Sequence, residues 1–413
     1  MRTMDFKIAW RNIWRNPRRS VLTICAISFA CIVLIFMLSF QFGSYETMIN
    51  TSVKIQTGHI QIQAQGYHEK RDIRLVVTDP SEIAKIVSNT PQVIGFTFRS
   101  QAFSLVSKGK RTYGVLVNGI DPAREKTVSR LKALVREGEF LTEKDTNVAL
   151  LGNLLAKNLR ASIGDEVTVL GQGRDGSIAA TVLRVKGVFS SGISELDRST
   201  LLMPLKSFSD VYSMGGAVHK IVIVLDSLSH VAEVKKHLAL AIKSVQNDPP
   251  LVVMDWEDLM PGLRQGIELD LISGMIFYLI LILVVAFSIM NTFLMAIFER
   301  TKEFGVLMAI GVTPGRLTRL LLMESLGLTI VGIAIGMLAG VLITYYFQSY
   351  GIDVSGASDL LSQFGISGRL YPRLGPLSVT IGPSAVLLIT FVAALYPALK
   401  VRSFKPVEAI AAI

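Results

Sequence analysis

The side chains with the most chemistry in this chain stand together at Phe298–Gly311, which reads FERTKEFGVLMAIG. Glu299, Arg300, Lys302 and Glu303 mix signs within one turn or so, and Phe304, Leu307, Met308 and Ile310 follow as an apolar row closed by Gly311. Opposite charges three or four residues apart reach each other on a helix, so the chemistry on offer is ion pairing and recognition. Bond-making chemistry has no such foothold. The histidines His59, His68, His219, His230 and His237 form no H-x-x-x-H pair, and His230 and His237, seven apart, read as a solvated helix face, so no metal site is expected. There is no G-x-S-x-G elbow and no G-x-x-x-x-G-K-[ST] loop. The nearest text to the latter, Gly109-Lys110-Arg111-Thr112, lacks the leading glycine and falls in a hairpin, and Gly171–Gly176 (GQGRDG) is a loop tip with no helix after it. The expectation is a chain with no catalytic residue, no metal and no cofactor of its own.

What positions the charged stretch is a set of apolar runs. Half of the 413 residues are hydrophobic and only 18% are charged. With a mean hydropathy of +0.48 the chain is too apolar for the two or three soluble domains its length would allow. The net charge of +10 sits beside the apolar runs, a membrane-topology pattern that excludes a nucleic-acid face. A crossing needs about 20 apolar residues, and the runs that qualify are Ser20–Phe42, Ile272–Phe298, Leu320–Phe347 and Leu377–Leu399, the last interrupted by Pro383 and Pro397. The first is too long for a signal-peptide core and no small-x-small site follows it, so an uncleaved anchor is expected. Cys25 and Cys31 both lie in it, on different sides of the helix, and cannot bridge each other. Arg2, Lys7, Arg11, Arg15, Arg18 and Arg19 precede the first run against Asp5 alone, Arg300, Lys302, Arg316 and Arg319 stand between the second and third, and Lys400, Arg402 and Lys405 follow the fourth. Between the third and fourth, Asp353 and Asp359 balance Arg369 and Arg373. The charge bias predicts four crossings with both ends cytoplasmic and a large segment, Gly43–Leu271, outside the cytoplasm.

Around these runs the patterning is informative. Over Met4–Asn16, Phe6, Ala9, Trp10, Ile13 and Trp14 share one side and Lys7, Arg11 and Arg15 another, which predicts a helix lying in the membrane interface and ended by Pro17. The outer segment reads as α+β. Strand alternation appears at Val53–Gln63, a helix at Asp79–Thr90 capped by Asp79 or Ser81, and paired strands at Phe96–Val106 and Thr112–Gly119. A β-rich subdomain with the short helix Asn153–Leu159 is inserted before Lys220–Leu225 and the helix Ser229–Val245. Leu263–Phe298 shows no break, and 36 helical residues would span roughly 54 Å at 1.5 Å per residue against a hydrocarbon core of about 30 Å. The surplus, together with Gly43–Ile49, predicts stalks beneath the outer domain. On the third run Gly332, Gly336 and Gly340 recur every four residues, the pattern of a close helix–helix seam. Glu324, at the cytoplasmic end of that run, needs a partner or water, with Arg300, Arg316 or Arg319 to serve it in a structural or coupling role.

Three stretches carry a family resemblance. AWRNIWRNPRRSVLT, ERTKEFGVLMAIGVTPGRLTRLLLMES and PALKVRSFKPVEA are similar to the interfacial helix, the cytoplasmic coupling segment and the tail of the ABC permeases that include the lipoprotein-release permeases LolC and LolE, MacB-type exporters and FtsX. Gly152–Leu170 and Gly187–Tyr212 look most like the outer domain of the lipoprotein-release members, while Glu303-Phe304-Gly305 and Ala309-Ile310-Gly311 look as close to the exporters. The resemblance implies an α-helical membrane protein with four transmembrane helices and a large extracytoplasmic α+β domain between helices 1 and 2, an α/β part holding an inserted β-rich subdomain. The boundaries expected are an interfacial helix at 1–17, helix 1 with the start of a stalk at 18–43, and a periplasmic domain at 44–262 with its insertion at about 121–205. Stalk and helix 2 follow at 263–298, the coupling segment at 299–319, helix 3 at 320–347, a short periplasmic loop at 348–376, helix 4 at 377–399 and a cytoplasmic tail at 400–413.

The resemblance also implies a role and partners. Glu299, Arg300, Lys302, Glu303, Phe304, Gly305, Met308 and Gly311 would receive a separate cytoplasmic ABC ATPase, present in two copies and binding the ATP and Mg. From the residues themselves, Trp10, Arg11, Trp14 and Arg15 would form the interfacial helix against membrane lipids, and the aromatic side chains of the two stalked helices, Phe36, Phe40, Phe277 and Tyr278, would face cargo. A second permease, identical or homologous, would pair through the membrane helices, in the inner membrane of a bacterium. ATP-driven movement of the outer domain would release lipoproteins or similar lipid-anchored cargo. The other reading is a MacB- or FtsX-like force transmitter for efflux or for control of a periplasmic partner, and a membrane-anchored sensor or adhesion domain leaves the charged stretch unexplained.

Overall fold

The computed structural model describes residues 2–353 and 369–401, the side chains of residues 2–7 and of Gln56 excepted. Asp359, Arg402 and Lys405, most of the loop expected at 348–376 and nearly all of the tail at 400–413 lie outside the described residues. The described residues divide into two compact units, one built from residues 2–45, 267–353 and 369–401, the other from 46–266.

The first unit is helical. Its amino-terminal helix is Arg2–Ile13, and four helices long and apolar enough to cross a membrane follow: Pro17–Ser52, Pro261–Glu299, Pro314–Tyr350 and Pro376–Lys400. Pro17 is the first residue of the first long helix rather than the end of the one before it. Proline lacks an amide N–H and has its φ preset, so it suits a first helical turn. The second long helix has 39 residues, about 58 Å at 1.5 Å per residue, where 36 were expected. The third begins at Pro314, six residues ahead of the expected 320, again with proline in its first turn. Ile24, Ile27 and Leu34 of the first long helix, Ile289 and Phe293 of the second, Leu328 of the third, and Val386 and Ala394 of the fourth form one core. Buried hydroxyls inside it donate to the carbonyl one turn back, Thr329 to Ser325, Thr344 to Gly340 and Thr390 to Val386, leaving none of these groups unsatisfied in an apolar medium.

The second unit is α+β. Its strands are β1 (Ile60–Ala64), β2 (Val93–Lys108), β3 (Arg111–Ile120), β4 (Val135–Gly138), β5 (Val148–Gly152), β6 (Glu166–Gln172), β7 (Ile178–Phe189), β8 (Thr200–Pro204), β9 (Lys220–Leu225) and β10 (Leu251–Asp255). All belong to one mixed sheet in the order β10-β1-β9-β2-β3-β8-β5-β7-β4, with β6 pairing both β2 and β7. The segment expected as a separate β-rich insertion therefore makes no separate sheet. β8 pairs in parallel with β3, β6 pairs with β2 at Leu105–Ser107, and the path β2-β3-β8-β5-β7-β6 returns to β2 as a closed ring. Its interior holds Val106, Val117, Leu151, Val169, Leu183, Leu201 and Met203, plugged by Phe208 and Tyr212 from the helix Leu205–Val211 and the residue after it.

The remaining strands, β10, β1, β9 and the first half of β2, form an antiparallel layer. Alternation along each strand gives it one apolar face: Ile60, Ile62, Ile221, Ile223 and Leu225 pack under the helices Pro80–Ser88 and Val231–Ala241. Asp79 caps the first of these helices by accepting from the amides of Ser81 and Glu82. The opposite face carries Gln61, Gln63, Arg99 and Lys220, all buried. His59 and His219 are structural. His219 accepts from the Gln101 amide through Nδ1 at 3.0 Å, donates from Nε2 to the Ile73 carbonyl at 3.0 Å and stacks on Tyr67. Burial pushes the pKa of each of these imidazoles down to about 4.

Candidate functional site

The charged stretch becomes a tight turn and a short helix. The second long helix ends at Glu299, Arg300 occupies the N-cap position, and Thr301–Ala309 forms the short helix. Gly311 turns the chain with φ +97°, a backbone region that disfavours any side chain. Pro314 then opens the third long helix. Two residues anchor the short helix. Phe304 is 1% exposed among Ile297, Leu317, Leu321, Ala398 and Val401, and Met308, four residues on, packs beside it. Gly305 is buried at the same surface. Thr318 ties the third helix to the fourth here, its hydroxyl donating to the Ala398 carbonyl at 3.1 Å.

The apolar row read from the sequence therefore has two sides. Phe304 and Met308 point inward, while Val306, Leu307 and Ile310 are exposed, Ile310 by 73%. Lys302, Gly311 and Arg316 are exposed with them.

The charges are engaged within the chain. Glu303 pairs with Arg15, which follows the amino-terminal helix, and accepts from Arg300 Nε at 3.3 Å. Arg300 Nη1 donates to Glu324 Oε2 at 3.3 Å, with both side chains more than four-fifths buried. Glu299 pairs with Arg19, in the first turn of the first long helix. Arg300 also lies over the Phe304 ring, 5.5 Å from its centroid. Arg15 and then Arg300 hold the Glu303 carboxyl below the usual carboxylate range, and Glu303 in turn raises the Arg15 guanidinium. Of the three arginines that could serve Glu324, it is Arg300 that does. Three of the four leading charges thus clamp helices together, and Lys302 is the one with no ion pair to a described residue.

The other expected residues fall into place around this clamp. In the amino-terminal helix Ala9 and Ile13 are buried, Ile13 beneath Gly327 of the third helix, while Trp10, Arg11 and, in the turn just after it, Trp14 are exposed, and the two indoles meet edge to face at 6.3 Å. The aromatic side assumed to be continuous with Ala9 and Ile13 is therefore divided between a protein-facing and an outward-facing edge. Gly332, Gly336 and Gly340 form a seam with the first long helix of the same chain. A Cβ at Gly332 would stand 2.7 Å from Ile27, one at Gly336 2.7 Å from the Ser28 carbonyl, and one at Gly340 3.2 Å from Ile35. The approach is close enough for Ser28 Oγ to donate to the Gly332 carbonyl at 2.8 Å.

Of the residues expected to face cargo, Phe277 is 71% exposed, but Phe36 stacks on Phe40 and meets Phe347 of the third helix edge to face at 5.6 Å. Tyr278 belongs to a polar network that the sequence reading missed. Its hydroxyl donates to Gln41 Oε1 at 2.9 Å, Gln41 Nε2 donates to Asp270 Oδ2 at 3.2 Å, and the Tyr45 hydroxyl donates to the same carboxylate oxygen at 2.5 Å. The network joins the first two long helices, and Gly274 leaves room for the Gln41 amide. The available signal was Gln41 and Asp270 themselves, polar residues at the ends of otherwise apolar runs.

Two family models match the chain. Residues 20–240 match the MacB-like periplasmic core domain, and residues 275–406 match the FtsX-like permease C-terminal region. Among curated relatives, the lipoprotein-releasing system transmembrane protein LolC of Xylella fastidiosa (strain 9a5c) is 25% identical over 405 residues, covering 95% of this chain and 93% of that protein. The corresponding protein LolE of Haemophilus influenzae is 22% identical over 435 residues, 98% of each. The macrolide export ATP-binding/permease protein MacB of Campylobacter jejuni (strain 81-176) is 21% identical over 428 residues, 98% of this chain but 61% of that one. The chain is a multi-pass membrane protein of the LolC/LolE and MacB/FtsX-like permease family, in which a MacB-like core domain precedes an FtsX-like membrane region.

Proposed function

We propose that this chain is the permease subunit of an ABC transporter that releases lipoproteins, or similar lipid-anchored cargo, from the bacterial inner membrane. The observation that carries this reading is the likeness, across 95% of the chain, to a transmembrane protein of a lipoprotein-releasing system. In this reading the second unit is periplasmic, both termini are cytoplasmic and the short helix Thr301–Ala309 faces the cytoplasm. ATP and Mg are bound by a separate ATPase, in two copies, whose surface covers Val306, Leu307 and Ile310. That exposed apolar row on an otherwise clamped helix is what a docking partner would cover. Trp10 and Trp14 sit at the lipid headgroups. The second permease, identical or homologous, packs on the second long helix, along whose apolar span 6% is buried within the chain against 44% along that of the first.

The test is reconstitution of the complex with its ATPase in vesicles carrying a radiolabelled lipoprotein. ATP-dependent transfer to a soluble acceptor is expected, and hydrolysis without release of any lipidated cargo would sink the proposal. The likeness to a macrolide export permease over 98% of the chain supports a second reading, a force transmitter for efflux or for a periplasmic partner. Cross-linking of the full chain in cells separates the two. Recovery of an outer-membrane channel or a hydrolase, in place of a lipoprotein acceptor, would favour the second.

A further inference from the structure

The polar face of the antiparallel layer in the second unit is turned away from the protein surface, with Gln61, Gln63, Arg99 and Lys220 all buried. It lines a cavity of about 370 Å³, within the range of small-molecule sites. At one end, on β1, β9 and β2, stand Gln61, Gln63, Lys220, Arg99 and Gln101, and at the other stand Ile120, Phe189 and Leu202, on strands beyond them in the sheet order, with Leu131, all four buried. The cavity is thus divided by chemistry into an amide-and-cation end and an apolar end.

Charge is unbalanced at the polar end. Arg99 is matched, its guanidinium donating to both oxygens of Glu125 at 2.7 and 2.9 Å. Lys220 is not. Its side chain lies among the buried residues, 9% exposed, its ammonium donates to Gln101 Oε1 at 3.1 Å, and no ion pair joins it to a described carboxylate. A buried ammonium with one hydrogen bond to a described residue is costly unless an anion stands beside it. Arg71, exposed and also lining the cavity, adds a second cation. Glu195 is the lining acid, and it lies in the exposed face of the helix Ser194–Ser199. Burial, with help from Arg99 and Arg71, draws the Lys220 pKa down to about 7, which states the same imbalance in other terms.

We propose that this cavity binds a small organic oxyanion, a carboxylate or phosphate monoester with a short apolar portion, its head against Lys220 and its tail against Phe189 and Leu202. The side-chain amides of Gln61, Gln63 and Gln101 each donate one hydrogen within the chain, to the Thr57 carbonyl, Met254 Sδ and Asn118 Oδ1, and each keeps a second for such a head. The full chain in nanodiscs of zwitterionic lipid is titrated calorimetrically with hexanoate, hexyl phosphate and neutral hexanamide, with empty nanodiscs subtracting partition into lipid. Saturable binding of either anion at one site per chain is expected, and its identity distinguishes the carboxylate from the phosphate source. Hexanamide should bind at least tenfold more weakly. Lys220→Gln should weaken the anion at least tenfold, and Arg71→Gln, at an exposed position where folding is not in question, about threefold. The absence of saturable binding by both anions, hexanamide binding as tightly as they do, or wild-type binding by a folded Lys220→Gln would overturn the proposal. If Lys220→Gln shows no cooperative unfolding transition, wild-type binding by Arg71→Gln overturns it instead.

Discussion

Removing the Arg300 guanidinium separates a buried clamp from a surface charge. In Arg300→Gln the Glu324 carboxylate keeps its place, 14% exposed, and loses the partner at 3.3 Å. Breaking a buried pair from one side costs about 3–5 kcal/mol, because the remaining charge is left uncompensated. The Glu303 contact adds little, since that side chain is 41% exposed and exposed pairs contribute about 0.2–1 kcal/mol. Arg300 over Phe304 adds about 0.5–1 kcal/mol more. Glu303→Gln alone should therefore cost less than about 1 kcal/mol. In the double variant Arg300→Gln/Glu324→Gln no buried charge remains, and most of the loss should return, giving a coupling energy of at least about 2 kcal/mol. Denaturant titrations of the wild type, of Arg300→Gln, Glu324→Gln and Glu303→Gln, and of the double variant in one detergent, followed by tryptophan fluorescence, measure each value. The reasoning fails if Arg300→Gln is as mild as Glu303→Gln, or if the double variant loses the sum of the two single losses.

Other expectations rest on separate features. Val306→Asp and Ile310→Asp should leave folding unchanged, since both side chains are exposed, and should lower ATPase stimulation by the permease at least tenfold in the reconstituted complex. Glu303→Lys, which would place a third cation between Arg15 and Arg300, should uncouple hydrolysis from cargo release while insertion, read by protease protection, persists. Gly336→Leu puts a Cβ 2.7 Å from the Ser28 carbonyl and should destabilise by about 1–3 kcal/mol or more through overpacking, whereas Gly315→Ala, with nothing within 4 Å of its Cβ, should cost little in the same titration. Stability should also fall in mild acid. His59 and His219 have folded pKa values lowered to about 4 from about 6.5 unfolded, so between those limits the unfolded chain binds the extra protons. Their contribution is complete above about pH 6.5 and is lost as pH falls toward 4, at up to about 1.4 kcal/mol per pH unit for each. His219→Gln, whose amide can both accept from Gln101 and donate to Ile73, should flatten that slope.

Membrane helices were the most legible part of the sequence, because about 20 apolar residues in a row have few other uses. Their ends were less so: Pro17 and Pro314 sit inside helices at first-turn positions, where proline signals a start as readily as a stop. Hairpins and caps that depend on neighbours in sequence, such as β2–β3 and Asp79, could be read directly. The parallel pair of β3 with β8 and the return of β6 to β2 could not, because nothing local in a strand names a partner 60 or more residues away. The same limit governs the candidate site. Glu324 announced its need for a cation by being an acid in an apolar run, yet the choice of Arg300 over Arg316 and Arg319 depends on how the short helix folds back. The split of the apolar row followed from 3.6-residue periodicity once Phe304 and Met308 were known to face the core.

The clamp changes what the short helix can do. Had Glu299, Arg300 and Glu303 been unpaired, they would have offered a partner a charged patch whose attraction is screened within about 8–10 Å of salt solution. Instead Glu303 joins the short helix to Arg15, after the amino-terminal helix, Arg300 at its N-cap joins it to the third long helix through Glu324, and Glu299 ties the end of the second long helix to the first through Arg19. Phe304 adds the fourth helix through Ala398 and Val401. If the proposed ATPase docks at Val306, Leu307 and Ile310, bending the connection under its load would bare a buried carboxylate and empty a packed aromatic site together. On that reading the load would reach the third and fourth long helices through Glu324, Ala398 and Val401, and the Gln41–Asp270 network ties the first long helix to the second. Recognition would then fall to the few exposed apolar side chains, held in place by the buried Arg300–Glu324 pair and Phe304.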